Sequence, residues 1–176
     1  NNRAASGMAA QPKDNFSAQA ATYAAFRPHY PQELYTYLFQ LPGEQDTAWD
    51  CGTGNGQVAV RLAEQFRQVY ATDISTSQLQ HAPPKENIGY LRCAAESTPL
   101  PSEEMDLVTV AQAVHWFDFE RFYQEVKRVL KPGGFLAVWG YGLLRLDNLL
   151  INPLIDHFYS QVVGPYWDAE RRYLDK

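Results

Sequence analysis

Cysteine is scarce in this 176-residue chain: Cys51 and Cys93 are its two, too few for a disulfide framework and in keeping with a reducing cytoplasm. Basic charge is short as well. Fifteen Lys and Arg face twenty Asp and Glu, a formal net charge of -5 at pH 7. That balance disfavours a nucleic-acid partner or an anionic membrane surface, both of which need a basic face. No apolar run approaches the length of a membrane span, and no charged, apolar and small-residue series reads as a signal peptide. His29, His81 and His157 have no ligand-like spacing with cysteines or acids, so no metal is expected. There are no internal repeats and no low-complexity tract.

What is present describes one ordinary globular domain. Hydrophobic residues make up 45% and charged residues 20%, and the length suits a single sizeable core. Residues 1–15 are expected to be a disordered leader, with Met8 as a natural start. "FSAQAATYAAF" reads as a short helix that "RPHYP" breaks, because each proline disfavours helix in the residue before it. A second helix, "QELYTYLFQL", ends at Pro42-Gly43, so residues 16–44 are expected to be a helical N-terminal segment. Strand-like and helix-like segments then alternate through 45–141. "TAWD", "VYATD", "IGYLRC", "DLVTVAQAV" and "FLAVWGY" read as strands, with "QVAVRLAEQF", "STSQLQHA" and "DFERFYQEVKRVL" as helices between them. This alternation predicts the α/β class: a doubly wound, mostly parallel sheet with right-handed crossovers, whose ligands bind at the strands' carboxyl ends.

Every unusual cluster falls at such an end: Cys51–Gly56, Asp73, Ala94–Glu96 and Gln112–Phe117. In "WDCGTGNGQVA", Gly52, Gly54 and Gly56 follow a strand and open a helix, so the backbone there tolerates a close approach. Asp73 lies about twenty residues on, where a doubly wound sheet places the carboxylate that grips a ribose diol. A dinucleotide loop would need a small third residue at position 57, where Gln57 stands. Asp50, at the strand's end, would oppose a pyrophosphate at the helix N-terminus. An acid there is better matched to a ligand with an amine and a sulfonium. The absence of a Lys-Ser/Thr pair after the loop excludes a P-loop.

"WDCGTGNGQ", "YATDIS", "AESTPLPSEEMDLVTVAQAVHWF" and "RVLKPGG" together resemble the class I S-adenosylmethionine-dependent methyltransferases. "YAAFRPHYP" and "AVHWF" narrow the resemblance to the subgroup similar to trans-aconitate methyltransferase. It covers roughly residues 16–141 through five separately placed motifs. The resemblance implies a Rossmann-like methyltransferase sheet ordered 3-2-1-4-5 and S-adenosyl-L-methionine as cofactor. It also implies roles. Gly52, Thr53, Gly54 and Gly56 would cradle the cofactor's methionine and ribose portion, with Asp50 near its amino group. Asp73 would hold the ribose hydroxyls, Ile74 would lie against adenine, and Ala95 and Glu96 would meet the adenine edge. Many relatives carry an aspartate where this chain has Ala94, which leaves that edge contact to the backbone. Gln112 and Ala113 would face the methyl-bearing sulfur. Tyr23, Arg27 and Tyr30 would fold over the active-site mouth.

Methyl transfer from a sulfonium is an in-line displacement in which positioning supplies most of what the protein adds. His115, beside the predicted methyl site, is the candidate base for carbon, phenol or amine acceptors; a carboxylate acceptor needs none. The preferred alternative is that His115 only shapes the pocket. Trp116 is expected as substrate-pocket wall. Arg27 is open between a clamp on an acidic group and a surface salt bridge. The leading expectation is thus a cytoplasmic enzyme that methylates a small, acidic molecule, without nucleic acid or membrane as partner. A non-catalytic cofactor-binding or scaffold protein is the alternative, and a nicotinamide oxidoreductase a third reading that Gln57 and Asp50 oppose.

Cys51 and Cys93 end the first and third strands, so the family's order puts about 10 Å between them and keeps both thiols free. After Tyr141 the sequence suggests helix only, with Asn152-Pro153 as cap and first residue and Gly164-Pro165 as the stop; residues 142–176 are expected to be a helical cap segment. The family's last two antiparallel strands are therefore expected to be missing, the chain being a shortened form whose fifth strand lies at an edge. An exposed apolar "FLAVW" edge invites a homodimer.

Overall fold

The computed structural model describes residues 29–143, 145–147 and 150–166. Tyr23 and Arg27, with the first expected helix, lie outside the described residues. The described chain runs α1 (Gln32–Gln40), β1 (Thr47–Cys51), α2 (Gln57–Leu62), β2 (Gln68–Asp73), α3 (Thr76–Gln80), β3 (Ile88–Arg92), β4 (Met105–Ala111), α4 (Phe119–Val129), β5 (Leu130–Trp139) and α5 (Asn152–His157). The five strands form one parallel sheet in the order β3-β2-β1-β4-β5, as expected.

Strand alternation builds two cores. On β1, Ala48 faces one side with Val69 and Ala71 of β2 and Leu107 of β4, where Leu38 of α1 and Val58, Ala59 and Leu62 of α2 cover them. Trp49 and Cys51 face the other side with Val108 and Val110 of β4, where Phe122, Val126 and Val129 of α4 close the layer. Period-2 strands meeting period-3.6 helices on both faces is what a two-sided parallel sheet requires. Phe66 lies beyond the end of α2 yet is buried with the first core. β4 is interior and buried along its whole length, so it is apolar at every position but Asp106 and Thr109, both of which are hydrogen-bonded.

The amino ends of the strands are fastened by one carboxylate. Asp106 is buried, accepts hydrogen bonds from the amides of Asp46 (3.1 Å) and Thr47 (2.9 Å), and pairs with the Lys131 ammonium at 2.7 Å. It therefore ties β1 and β4 to the start of β5, and its charge is compensated where it is buried.

Two boundaries differ from expectation. β5 begins at Leu130, before Pro132-Gly133-Gly134, because Leu130 already pairs with Met105; the register then shifts and resumes at Leu107 with Phe135. Asn152 does not cap α5. It is the first helical residue, and its side chain instead bonds the backbone N–H and carbonyl of Leu146 at 3.0 and 2.8 Å. The helix runs on through Phe158–Val162 with widened turns and no strand follows β5 among the described residues. Among these residues no helix is long and apolar enough to cross a membrane.

Candidate active site

The strand order reverses between β1 and β4, and the crevice at their carboxyl ends is where a doubly wound sheet binds ligands. The 52–56 loop, Asp73, the 94–96 turn and the 112–117 segment all lie at these ends. The structure thus assembles at one rim four clusters that are far apart in sequence.

Gly52, Gly54 and Gly56 all have left-handed φ, +68°, +57° and +81°, which only glycine adopts without strain. What comes close to two of them is the protein itself. A Cβ on Gly52 would stand 2.6 Å from the Ala113 Cβ, and one on Gly56 would stand 2.7 Å from the Tyr90 hydroxyl. Gly52 therefore locks the loop against the segment after β4, and Gly56 lets α2 start against β3. Burial and then the charge of Asp50 push the Tyr90 phenol up to about 12, so it stays protonated and donates to the Pro83 carbonyl at 2.9 Å.

Asp50 lies beneath the loop, 1% exposed. Its carboxylate accepts from the hydroxyls of Thr53 (2.5 Å) and Thr109 (2.9 Å). Asp73, partly exposed at the end of β2, accepts from the amides of Gly54 (2.8 Å) and Ser75 (2.9 Å). Ser75 in turn caps α3 through the Gln78 amide. Two carboxylates set about one glycine loop make a poor phosphate site. They fit a ligand with a positive charge and a diol, which is the chemistry of S-adenosylmethionine.

Across the crevice, Gln112 has φ +58°, an uncommon backbone state for a residue with a side chain. It is held there from both ends: its amide donates to the Trp139 carbonyl at 3.0 Å and its side-chain amide to the Tyr141 carbonyl at 3.2 Å. Ala113 follows, against Gly52. His115 and Trp116 occupy the short turn Val114–Trp116, with ring centres 4.7 Å apart; His115 is buried and Trp116 half-buried. Tyr30 is brought to this rim by the segment before α1, edge-on to Trp139 at 5.6 Å and 6.4 Å from Tyr141.

At the β3 end, Ala95 is buried, and the Glu96 carboxylate accepts from the Asp118 amide at 2.9 Å. Ile74 stands partly exposed after β2, its carbonyl bonded by the Arg92 guanidinium at 3.0 Å. Cys51 and Cys93 are free thiols separated by β2, the order expected for them. Burial, and then Asp50, push the Cys51 thiol up, so it is no nucleophile. A cavity of about 550 Å³ flanks the loop, lined by residues including His29, Tyr30, Asn55 and Gln57. Among the described residues no group of three or more His, Cys, Asp or Glu could hold a metal ion.

Sequence reasoning missed Thr109, Trp139 and Tyr141. Trp139 ends the fifth strand, so the strand-end rule would have found it; Thr109, inside an apolar strand, gave no signal.

A methyltransferase domain family matches residues 49–138. A Dictyostelium discoideum protein named as a methyltransferase is 40% identical over 165 residues, covering 92% of this chain and 63% of that protein. The solved structure of an Anaeromyxobacter dehalogenans protein described as a type II methyltransferase superposes with a TM-score of 0.74 at 37% identity, covering 85% of this chain and 63% of that one. At the level of fold alone, phosphoethanolamine N-methyltransferase 2 of Haemonchus contortus, solved with S-adenosylhomocysteine, gives a TM-score of 0.61 at 20% identity, covering 80% of this chain and 37% of that one.

The chain carries the Rossmann-like methyltransferase fold. It belongs to the methyltransferase domain family, of class I, and spans less than two thirds of the length of these relatives.

Proposed function

We propose that this chain binds S-adenosylmethionine across the carboxyl ends of β1 to β4 and serves methyl transfer to a small molecule, acidic compounds being the first class to test. The subgroup similar to trans-aconitate methyltransferase is part of that reading, as is a cytoplasmic site of action without nucleic acid or membrane as partner. The observation that carries it is the pair of carboxylates, Asp50 and Asp73, set about the glycine loop in a chain of this family.

When bound, the cofactor supplies an electrophilic methyl group on a sulfonium. Asp73 grips the ribose hydroxyls, and the amides of Gly54 and Ser75 already fix its carboxylate for that task. Asp50 places negative charge beneath the loop, on the side of the cofactor's amino group, while Gly52, Thr53, Gly54 and Gly56 shape the cradle. Ile74 lies against the adenine, whose edge meets Ala95 and Glu96. Gln112 and Ala113 face the sulfur, and their rigid seating serves a displacement whose rate depends on alignment. Trp116 and Tyr30 wall the acceptor side. His115, buried in its turn, shapes the pocket.

Methyl-labelled cofactor offered with small carboxylic acids, phenols and amines tests this. Label is expected first in a carboxylic acid, and label in none of the three classes would contradict the catalytic part. On the accepted substrate His115→Asn is expected to cost less than about tenfold in rate; a loss of about a hundredfold with cofactor affinity intact would make it the base instead.

A further inference from the structure

The acidic side chain in the segment expected at the adenine edge is tied down at one oxygen. Position 94 is alanine, and the Glu96 carboxylate is engaged with the Asp118 amide at the start of α4. Residues 94–97 form a tight turn in which the Ser97 amide donates to the Ala94 carbonyl at 3.3 Å, with Ala95 and Glu96 at its tip. Backbone groups at that tip are what the turn offers to an adenine, whose N1 accepts and whose 6-amino group donates. Such recognition is only as selective as the turn is fixed, because a displaced amide loses its hydrogen bond steeply with distance and angle.

What fixes the turn is α4. Beyond the Glu96 contact, Glu125 accepts from both the amide (2.8 Å) and the hydroxyl (2.6 Å) of Thr98 with one carboxylate oxygen. Arg128 holds Glu125 from the other side at 2.7 and 2.9 Å and reaches Ser102 at 2.9 Å. Glu125 is 8% exposed on a helix whose Phe122, Val126 and Val129 are packed into the core. The turn is therefore clamped at Glu96 and again at Thr98 to one rigid helix.

Resting on the cofactor assignment above, we infer that Glu125, acting through Thr98, is a positioning residue for adenine: it holds the 94–98 turn where its backbone distinguishes a 6-amino purine from a 6-oxo purine. Arg128 serves by keeping Glu125 in place.

Calorimetric affinities of the full chain for S-adenosylhomocysteine and S-inosylhomocysteine test this, since the second ligand reverses the donor and acceptor pattern at the purine edge. The unchanged protein is expected to prefer S-adenosylhomocysteine by at least about tenfold, the value of one well-made hydrogen bond. In Glu125→Ala that preference is expected to shrink towards unity; in Thr98→Val, which removes the hydroxyl contact but keeps the amide contact and the Glu125–Arg128 pair, it is expected to shrink part of the way. The S-inosylhomocysteine affinity should change by less than about twofold. Equal weakening of both ligands, or an undiminished preference in a folded variant, would overturn the inference and reduce Glu125 to a stability role. Should Glu125→Ala fail to fold, Thr98→Val decides alone. An unchanged protein that binds both ligands alike refutes this inference only; one that binds neither refutes the cofactor assignment and this inference with it.

Discussion

Asp73, proposed above to hold the ribose, shows how a loop can orient a side chain in advance. Its two oxygens take the amides of Gly54 and Ser75, so the carboxylate is oriented by backbone before any diol arrives. Asp73→Ala is expected to weaken S-adenosylhomocysteine binding by on the order of 1 to 3 kcal/mol, the worth of charge-assisted hydrogen bonds. Calorimetry on the folded variant checks this, and unchanged affinity would remove Asp73 from the ribose. This residue was legible in the sequence because its spacing from the glycine loop is local to one strand–helix–strand unit. The purpose of Gly52 was not. Its missing Cβ was readable as room for a close approach, but what approaches, Ala113, arrives from the far side of the switch point. Thr109 was hidden for a related reason: a threonine within an apolar strand looks like an ordinary strand former, and its bond to Asp50 exists only once β1 and β4 pair.

Among the elements, α4 does more than cover the sheet. Its helical character was readable in "DFERFYQEVKRVL", whereas nothing in the sequence singled out Glu125; a partner on the loop before β4 is what turns that position inward. Hydrogen bonding from Arg128, and then from Thr98, holds the Glu125 carboxyl down to about 2, against an ordinary value of 4.5. A carboxyl whose folded pKa lies below its unfolded one stabilises the fold above the unfolded value and loses that contribution as pH falls towards the folded value. Thermal melts of wild type and Glu125→Gln from about pH 5 to about pH 2 should therefore show a gap that narrows with acidification. A gap that stays constant would mean the pair carries no net stability. β5 was foreseen as a strand but not its early start, because the proline and two glycines after Leu130 read as a terminator.

At the scale of the whole molecule, the parallel doubly wound class and the placing of each unusual cluster at a strand's carboxyl end followed from the alternation of segments, which is a long-range pattern in its own right; the sheet order was what the family resemblance implied. β5 pairs with β4 on one side only, and no other described strand adjoins it; Phe135 and Val138 are exposed upon it at 39% and 42%. We expect two copies of this chain to associate along that edge. Sedimentation should show a dimer for the unchanged chain and a monomer for Val138→Lys; a monomeric unchanged chain at all concentrations would contradict it. The central claim concerns the crevice between β1 and β4, and the most direct test is calorimetric titration of the chain with S-adenosylhomocysteine and, separately, with NAD. Saturable binding of S-adenosylhomocysteine, weakened in Asp73→Ala by on the order of 1 to 3 kcal/mol, with no heat from NAD, is the predicted result. Binding of NAD without binding of S-adenosylhomocysteine would contradict it.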